Sequence, residues 1–279
     1  MKYLKEIMLL KKKEIKEIKK AGWAGNNKIK AEPGKESIKR KVSGKKGRFI
    51  KKIDKGKVNI IAEIKRASPS RGIINDKLDI EKTAGLYDRF RNFICGISIL
   101  TESLYFKGNP EDIAAVKKKT KLPVLRKDFI FSEAQVYQSA EIGADCILLI
   151  SSILGFKRLE KLYRLASDIG LDVLVEVHTI RELDRALYTG AELIGINNRN
   201  LKNMKVNGKV IYEFLNYRSS DLSDRILVCE SGVKETGYIR DLFSKGVSTF
   251  LIGEYFMRGS NLEKTLKRME TELKKGNLI

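Results

Sequence analysis

The chain has 279 residues, 42% of them hydrophobic and 33% charged, with one histidine and three cysteines. This composition is that of a globular chain and excludes a disordered or collagen-like one; no apolar run approaches the roughly 18 residues of a membrane span. The formal net charge of +21 is unevenly spread: residues 1–57 hold 21 Lys and Arg against 6 Asp and Glu, and residues 58–279 hold 35 against 29.

A basic arm therefore precedes a nearly balanced body. Such an arm could touch nucleic-acid phosphates or steer an anionic substrate. No nucleic-acid motif accompanies it, so a solvated lysine-rich surface is the simplest reading, and neither nucleic acid nor membrane is an expected partner. The first twenty residues, MKYLKEIMLLKKKEIKEIKK, interrupt their apolar positions with Lys and Glu. That pattern predicts an amphipathic helix rather than a signal peptide. Gly22, Gly25, Gly34, Gly44 and Gly47 then break the pattern up to residue 57.

Eight apolar, strand-like runs follow: 58–64, 93–100, 122–127, 144–150, 171–177, 191–197, 225–230 and 248–253. Amphipathic helical patterns lie between them, among them SEAQVYQSAEIG, LEKLYRLASDIG and TIRELDRALYTG. Ser132 reads as a helix cap, and Thr179 with Glu182 as a capping box. Gly143, Gly190 and Gly246 each end a helix and lead into a strand, a repeated β/α module. Strands this apolar, alternating with helices, predict a parallel sheet covered by helices. The count of eight, without a glycine-rich nucleotide loop after the first strand, favours a closed (β/α)8 barrel over an open doubly wound sheet. The expected organisation is one domain, with a basic helical extension at 1–57 and a catalytic barrel at 58–279. Cys95, Cys146 and Cys229 each sit inside an apolar run, which predicts buried, reduced thiols and a cytoplasmic protein. Without a histidine or cysteine cluster no metal site is expected.

In a barrel of this kind the chemistry lies at the carboxyl ends of the strands. The first run ends in Glu63 and Lys65, two apart and hence on one face. The third ends in Lys127, the fifth in Glu176, the sixth in Asn197 followed by Asn198 and Arg199, and the seventh in Glu230 followed by Ser231 and Gly232. Gly253 closes the eighth, and EYFMR at 254–258 has the length of a short extra helix. The loops after strands seven and eight could present backbone N–H groups to a phosphate. Two lysines facing three glutamates could supply acid and base, with a second cation lowering the pKa of the donating lysine. His178, the lone histidine, is expected at the rim or in a structural role.

Several blocks carry a resemblance. IIAEIKRASPSRG at 60–72, ISILTESLYFKG at 97–108, PVLRKDFI at 123–130, LVEVHT at 174–179, LIGINNRNL at 193–201, CESGV at 229–233 and FLIG at 250–253 resemble the indole-3-glycerol phosphate synthase family of tryptophan biosynthesis. The resemblance implies a decarboxylating cyclase that converts 1-(2-carboxyphenylamino)-1-deoxyribulose 5-phosphate into indole-3-glycerol phosphate, carbon dioxide and water, with no cofactor. It implies that Lys127 is the general acid of ring closure, Glu176 the base of later steps, and Glu63 a second carboxylate assisting dehydration. Lys65 would hold the substrate carboxylate, while Asn197 and Glu230 would hold hydroxyls and orient the lysine. Ser68, Arg199, Ser231, Gly232 and Gly253 would complete substrate and phosphate contact, and Phe106 and Phe129 would pack the aromatic ring. A phosphorylated small molecule is the implied partner, for a monomer or a homodimer. Glu254, beside the phosphate glycine, fits awkwardly and is expected to point away from the anion. Two other readings stay open: a barrel enzyme on a different sugar phosphate, and a binding protein with a basic arm.

Overall fold

In a computed structural model that describes residues 2–20, 47–201, 203–217, 219–257 and 261–279, eight parallel strands close into a barrel. They are β1 (Asn59–Ile64), β2 (Ile94–Leu100), β3 (Val124–Lys127), β4 (Cys146–Ile150), β5 (Asp172–Val177), β6 (Leu193–Asn197), β7 (Ile226–Glu230) and β8 (Thr249–Ile252). Each pairs with its neighbours in sequence, and β1 closes the ring on β8 with Ile60 opposite Phe250 and Ala62 opposite Ile252. This is the (β/α)8 barrel. β3, β4 and β6 begin two residues later than their apolar runs suggest, because Leu122, Ala144 and Ala191 are buried in the connecting turns.

Helix α1 (Lys2–Lys20) precedes the barrel. The outer ring contains α2 (Ile80–Arg89), α3 (Glu111–Lys117), α4 (Glu133–Glu141), the short α5 (Ser151–Leu154), α6 (Phe156–Asp168) and α7 (Ile180–Tyr188). It continues with α8 (Val210–Tyr217), α9 (Ser219–Leu222), α10 (Thr236–Phe243), the short α11 (Glu254–Met257) and α12 (Leu262–Lys275). The Ser132 and Thr179 hydroxyls accept helix N–H groups as expected, from Ala134 and Glu182 at 3.3 Å each. Gly143, Gly190 and Gly246 take left-handed φ values of 92°, 78° and 89°, which stop each helix just before a strand. No helix among the described residues is long and apolar enough to cross a membrane.

The strands are apolar on both faces because each face meets a different core. Ile60, Ile97, Val175 and Ile194 point outward beneath the helices, whereas Ile61, Leu125, Leu174 and Val228 fill the barrel interior. All three cysteines are buried and unpaired.

The two ends of the barrel are closed differently. At the amino-terminal end Phe49 plugs the interior, and a Cβ on Gly96 would meet its ring at 2.7 Å. At the carboxyl end α1 lies across the mouth. Its Ile7 joins the interior cluster with Phe129, and its Lys11 is fully buried 2.8 Å from Asp128, next to Lys127. Part of the basic extension is thus packed rather than solvated. Gly22, Gly25, Gly34 and Gly44 lie outside the described residues.

Candidate active site

Side chains alternate across a strand, so every second residue points into the barrel. In β1, β3, β5 and β7 the inward series ends with Glu63, Lys127, Glu176 and Glu230, all but Lys127 buried. Two residues earlier the same strands carry the buried apolar floor, Ile61, Leu125, Leu174 and Val228. A barrel interior is built from such layers, each drawn from alternate strands. One charged layer therefore rests on a dry one. Glycines give it room: a Cβ on Gly195 would stand 2.1 Å from Glu230 Oε1, and one on Gly253 would stand 2.4 Å from Glu63 Oε1.

Lys127 is the hub. Its Nζ donates to Glu176 Oε2 at 3.2 Å and lies 2.9 Å from Glu230 Oε2. Lys65 donates to Glu63 Oε1 at 2.6 Å, and His178 Nε2 stands 3.2 Å from Glu176 Oε1. Burial opposes the charge on Lys127, but Glu230, Glu176 and Glu63 outweigh it and hold its pKa well above the usual lysine value. This corrects the expectation that a second cation lowers it: Lys65 turns to Glu63, and Lys127 sees mostly carboxylates. Burial pushes Glu230 up to about 8, with the Glu176 charge adding to the rise. Glu176 is driven the other way: burial would raise it, but Lys127, His178 and Asn197 bring it far below the carboxylate range. The two carboxylates thus differ in proton affinity although they share one lysine.

Above this layer opens a cleft with two lobes that share Glu63, Lys65, Ser70, Lys127, Arg199 and Ser231. The larger, about 340 Å³, is lined by Arg71, Arg199, Ser231, Gly232, Lys234 and Gly253. The smaller, about 110 Å³, is lined by Leu100, Phe106, Phe129, Leu148 and Ile150, with Ser68, Glu176 and Asn197 at its polar edge. Every residue assigned to the site from sequence lines one lobe or the other. One lobe is cationic and rich in backbone; the other is apolar and aromatic.

The loops are held by buried polar groups. Ser231 and Gly232 take left-handed φ values of 63° and 88°, and the non-glycine one marks strain of the kind found at functional turns. The Asn198 amide ties this turn down by donating to Ser231 O at 3.0 Å, while its oxygen accepts from the Ile211 N–H at 3.2 Å. Asn197 Oδ1 accepts from the Arg199 N–H at 2.9 Å, and the Arg199 guanidinium donates to Ser70 Oγ at 3.2 Å and Met204 O at 3.0 Å. On the aromatic side, the buried Glu102 carboxylate accepts from the N–H groups of Leu104, Tyr105 and Phe106 at 2.8, 2.8 and 3.1 Å. That bundle fixes the loop carrying Phe106.

A family model for indole-3-glycerol phosphate synthase matches residues 4–269. The chain belongs to the indole-3-glycerol phosphate synthase family. An indole-3-glycerol phosphate synthase of Thermoanaerobacter pseudethanolicus is 42% identical over 255 residues, covering 91% of this chain and 92% of its own length. One from Caldanaerobacter subterraneus is 47% identical over 213 residues, 76% of this chain and 81% of its own. One from Campylobacter jejuni is 40% identical over 224 residues, covering 79% and 83%. Among solved structures, 3-hexulose-6-phosphate synthase from Salmonella typhimurium superposes with a TM-score of 0.60 at 13% identity, over 78% of this chain and 99% of that one. At that identity the likeness is one of barrel fold.

Within this indole-3-glycerol phosphate synthase family barrel, some lining residues escape a reading of strand ends. Leu148, Ile150 and Leu251 are inward positions of β4 and β8, which the two-residue alternation could have supplied. Glu102 and Asn198 act through backbone N–H and carbonyl groups that no side-chain pattern announces. Arg71 comes from a turn between two short antiparallel strands, Ala67–Ser68 and Gly72–Ile73. Its partner is Glu254, which Arg71 Nε contacts at 2.8 Å and Arg199 approaches to 3.7 Å. Glu254 therefore lines the cationic lobe instead of turning out of it, because two guanidinium groups meet its charge.

Proposed function

We propose that this chain performs the reaction of its family: ring closure, decarboxylation and dehydration of 1-(2-carboxyphenylamino)-1-deoxyribulose 5-phosphate to indole-3-glycerol phosphate. The carrying observation is Lys127, placed among three carboxylates where a cationic lobe meets an aromatic one. The substrate has the same three parts. Its phosphate suits the Ser231, Gly232 and Gly253 loops, its ring suits Phe106 and Phe129, and its ketone falls between them, over Lys127. Ser68 and Arg199 bound the cleft where the sugar chain would cross.

Ring closure joins the ring carbon that bears the carboxyl group to the ketone carbon, and negative charge gathers on the ketone oxygen. The Lys127 ammonium, kept charged by its neighbours, stabilises that oxygen and delivers its proton as the bond forms, favouring the transition state over the ground state. Loss of carbon dioxide from the same ring carbon returns the electron pair and restores aromaticity. Dehydration then expels the new hydroxyl with a proton, while a base removes a proton from the carbon beside nitrogen. Glu176, strongly ionised, is the base, and the Glu63–Lys65 pair serves the departing water. Lys65 also meets the substrate carboxylate, which competes with Glu63 for the ammonium. Asn197 and Glu230 hold the hydroxyls and Lys127 in place. Each step needs only proton transfer and charge stabilisation, which these side chains supply.

The test is direct. The purified chain, given the synthetic open-chain substrate, should develop indole fluorescence with one equivalent of carbon dioxide per turnover. A folded barrel that produces neither overturns the assignment.

A further inference from the structure

His178 is absorbed by none of these roles. It is the chain's single histidine and follows β5 by one residue. The ring is nearly buried, its side chain 12% exposed, and it lies between two carboxylates. Nε2 stands 3.2 Å from Glu176 Oε1, and Nδ1 stands 3.5 Å from Glu182 Oε2 on α7. Both ring nitrogens therefore sit within close range of a carboxylate oxygen, one on each side of the ring. Glu182 is fixed independently. Its carboxylate accepts the His178 backbone N–H at 2.8 Å, and its own N–H donates to Thr179 Oγ1 at 3.3 Å. This differs from the expected capping box, since the carboxylate reaches back one residue beyond the cap. The helix start thus doubles as a mount for the imidazole.

The two oxygens of Glu176 are divided between two cations, Oε2 facing Lys127 and Oε1 facing His178. A base flanked by the acid alone would be free to turn and to share the lysine evenly with Glu230. We propose that His178, as an imidazolium clamped between Glu176 and Glu182, is a positioning residue that orients Glu176 toward the cleft and keeps it ionised while Lys127 gives up its proton. This rests on the activity proposed above. During ring closure Lys127 transfers its proton to the ketone oxygen and loses its positive charge. His178 keeps its own, so Glu176 is not left without a counter-charge when its turn as base comes.

The groups facing Glu176 are Lys127 from β3, Glu230 from β7, Asn197 from β6 and His178 itself, with Glu63 of β1 across the mouth; Glu182 faces His178 and Thr179. Burial opposes the imidazolium, but the two flanking carboxylates prevail and push its pKa up to about 10.

A lone histidine makes the experiment specific. In the tag-free chain the ring 1H–15N signals report this site alone. Both ring nitrogens should stay protonated through pH 8, and Glu176→Gln should lower the His178 pKa by about one unit or more, the usual worth of a nearby opposite charge. A ring that titrates at the ordinary histidine value, or ignores Glu176→Gln, overturns the proposal. Kinetics give the second readout. In His178→Asn kcat should fall about tenfold with KM little changed, and His178→Lys, which restores a cation beside Glu176, should recover it. A folded His178→Asn chain with the parent kcat, or one that His178→Lys does not rescue, makes the histidine merely structural and sinks the idea. Should the parent chain show no turnover at all, the activity assignment has failed, and the ring titration still judges the clamp by itself.

Discussion

Both ends of the barrel bury carboxylates at strand ends, and they treat them in opposite ways. At the amino-terminal end Asp145 meets Arg48 at 3.2 Å, Lys117 at 2.6 Å and the Val124 N–H at 2.8 Å. Asp172 accepts from the N–H groups of Phe49 and Ile50 at 2.7 and 3.2 Å, and these amides pull back against the rise that burial imposes on its pKa. At the carboxyl end Glu63, Glu176 and Glu230 converge on one layer with Lys127 and Lys65, and neither Glu230 oxygen has an aligned hydrogen-bond donor. A carboxylate locked by backbone amides holds the chain together and cannot easily change partners. A carboxylate that shares a lysine keeps spare capacity for a substrate. Structural and chemical carboxylates are thus told apart here by their donors, not by burial, which they share.

The largest effect is expected at Lys127. Lys127→Met should lower kcat by at least about 10², while the barrel still melts cooperatively, because the freed carboxylates can hold a proton between them. Lys127→Arg should rescue poorly, since a guanidinium holds its proton too tightly to donate it. A folded Met variant with more than a tenth of the parent kcat would remove Lys127 from the chemistry.

The opposite end should respond in stability alone. Asp145→Ala removes the acceptor shared by Arg48, Lys117 and the buried Val124 N–H, a loss of about 2 kcal/mol after allowing for solvent around the two cations. For a domain of this size that is a fall in Tm of about 4–8 °C, with kcat within about twofold of the parent. A comparable loss of kcat would show that the two ends are not separable.

Gly232 sharpens the picture within the mouth itself. Its φ of 88° strains any other residue, and a Cβ there would meet Val206 Cγ1 at 2.9 Å. Gly232→Val should raise KM about tenfold with kcat little altered, as expected for a phosphate contact common to ground and transition states. A selective fall in kcat would place the phosphate elsewhere.

The mildest effect concerns the stability cost of Glu230. Its folded pKa, about 8, lies above the ordinary carboxylate value of 4.5. Between those values the folded chain binds a proton that the unfolded chain has released, so stability falls as pH rises through that window. Glu230→Gln removes this contribution. The difference in Tm between Glu230→Gln and parent should therefore shift in favour of the variant from pH 5 to pH 8, by a few degrees. A difference independent of pH would mean that Lys127 fully compensates the buried charge.

Eight strands, the order of their ends and the side chains that close them are all legible in the amino-acid sequence. Local rules suffice for that: apolar runs of strand length, glycines that end helices, and a two-residue alternation that sends Glu63 and Lys65, or Glu176 and His178, to one side. Which groups face one another follows only from the closed barrel. Lys65 turns to Glu63 instead of Lys127, Glu254 is neutralised by Arg71 from a turn more than 180 residues away, and Lys11 of the basic extension is buried on Asp128. Glu102 and Asn198 hold the two loops through backbone groups, and Gly195 leaves the space that Glu230 fills. Such pairings depend on barrel closure, which brings distant strand ends within a few ångströms and removes the water that would otherwise screen them. The sign of a pKa shift follows from that arrangement, which is why two glutamates with similar places in the sequence end with opposite proton affinities.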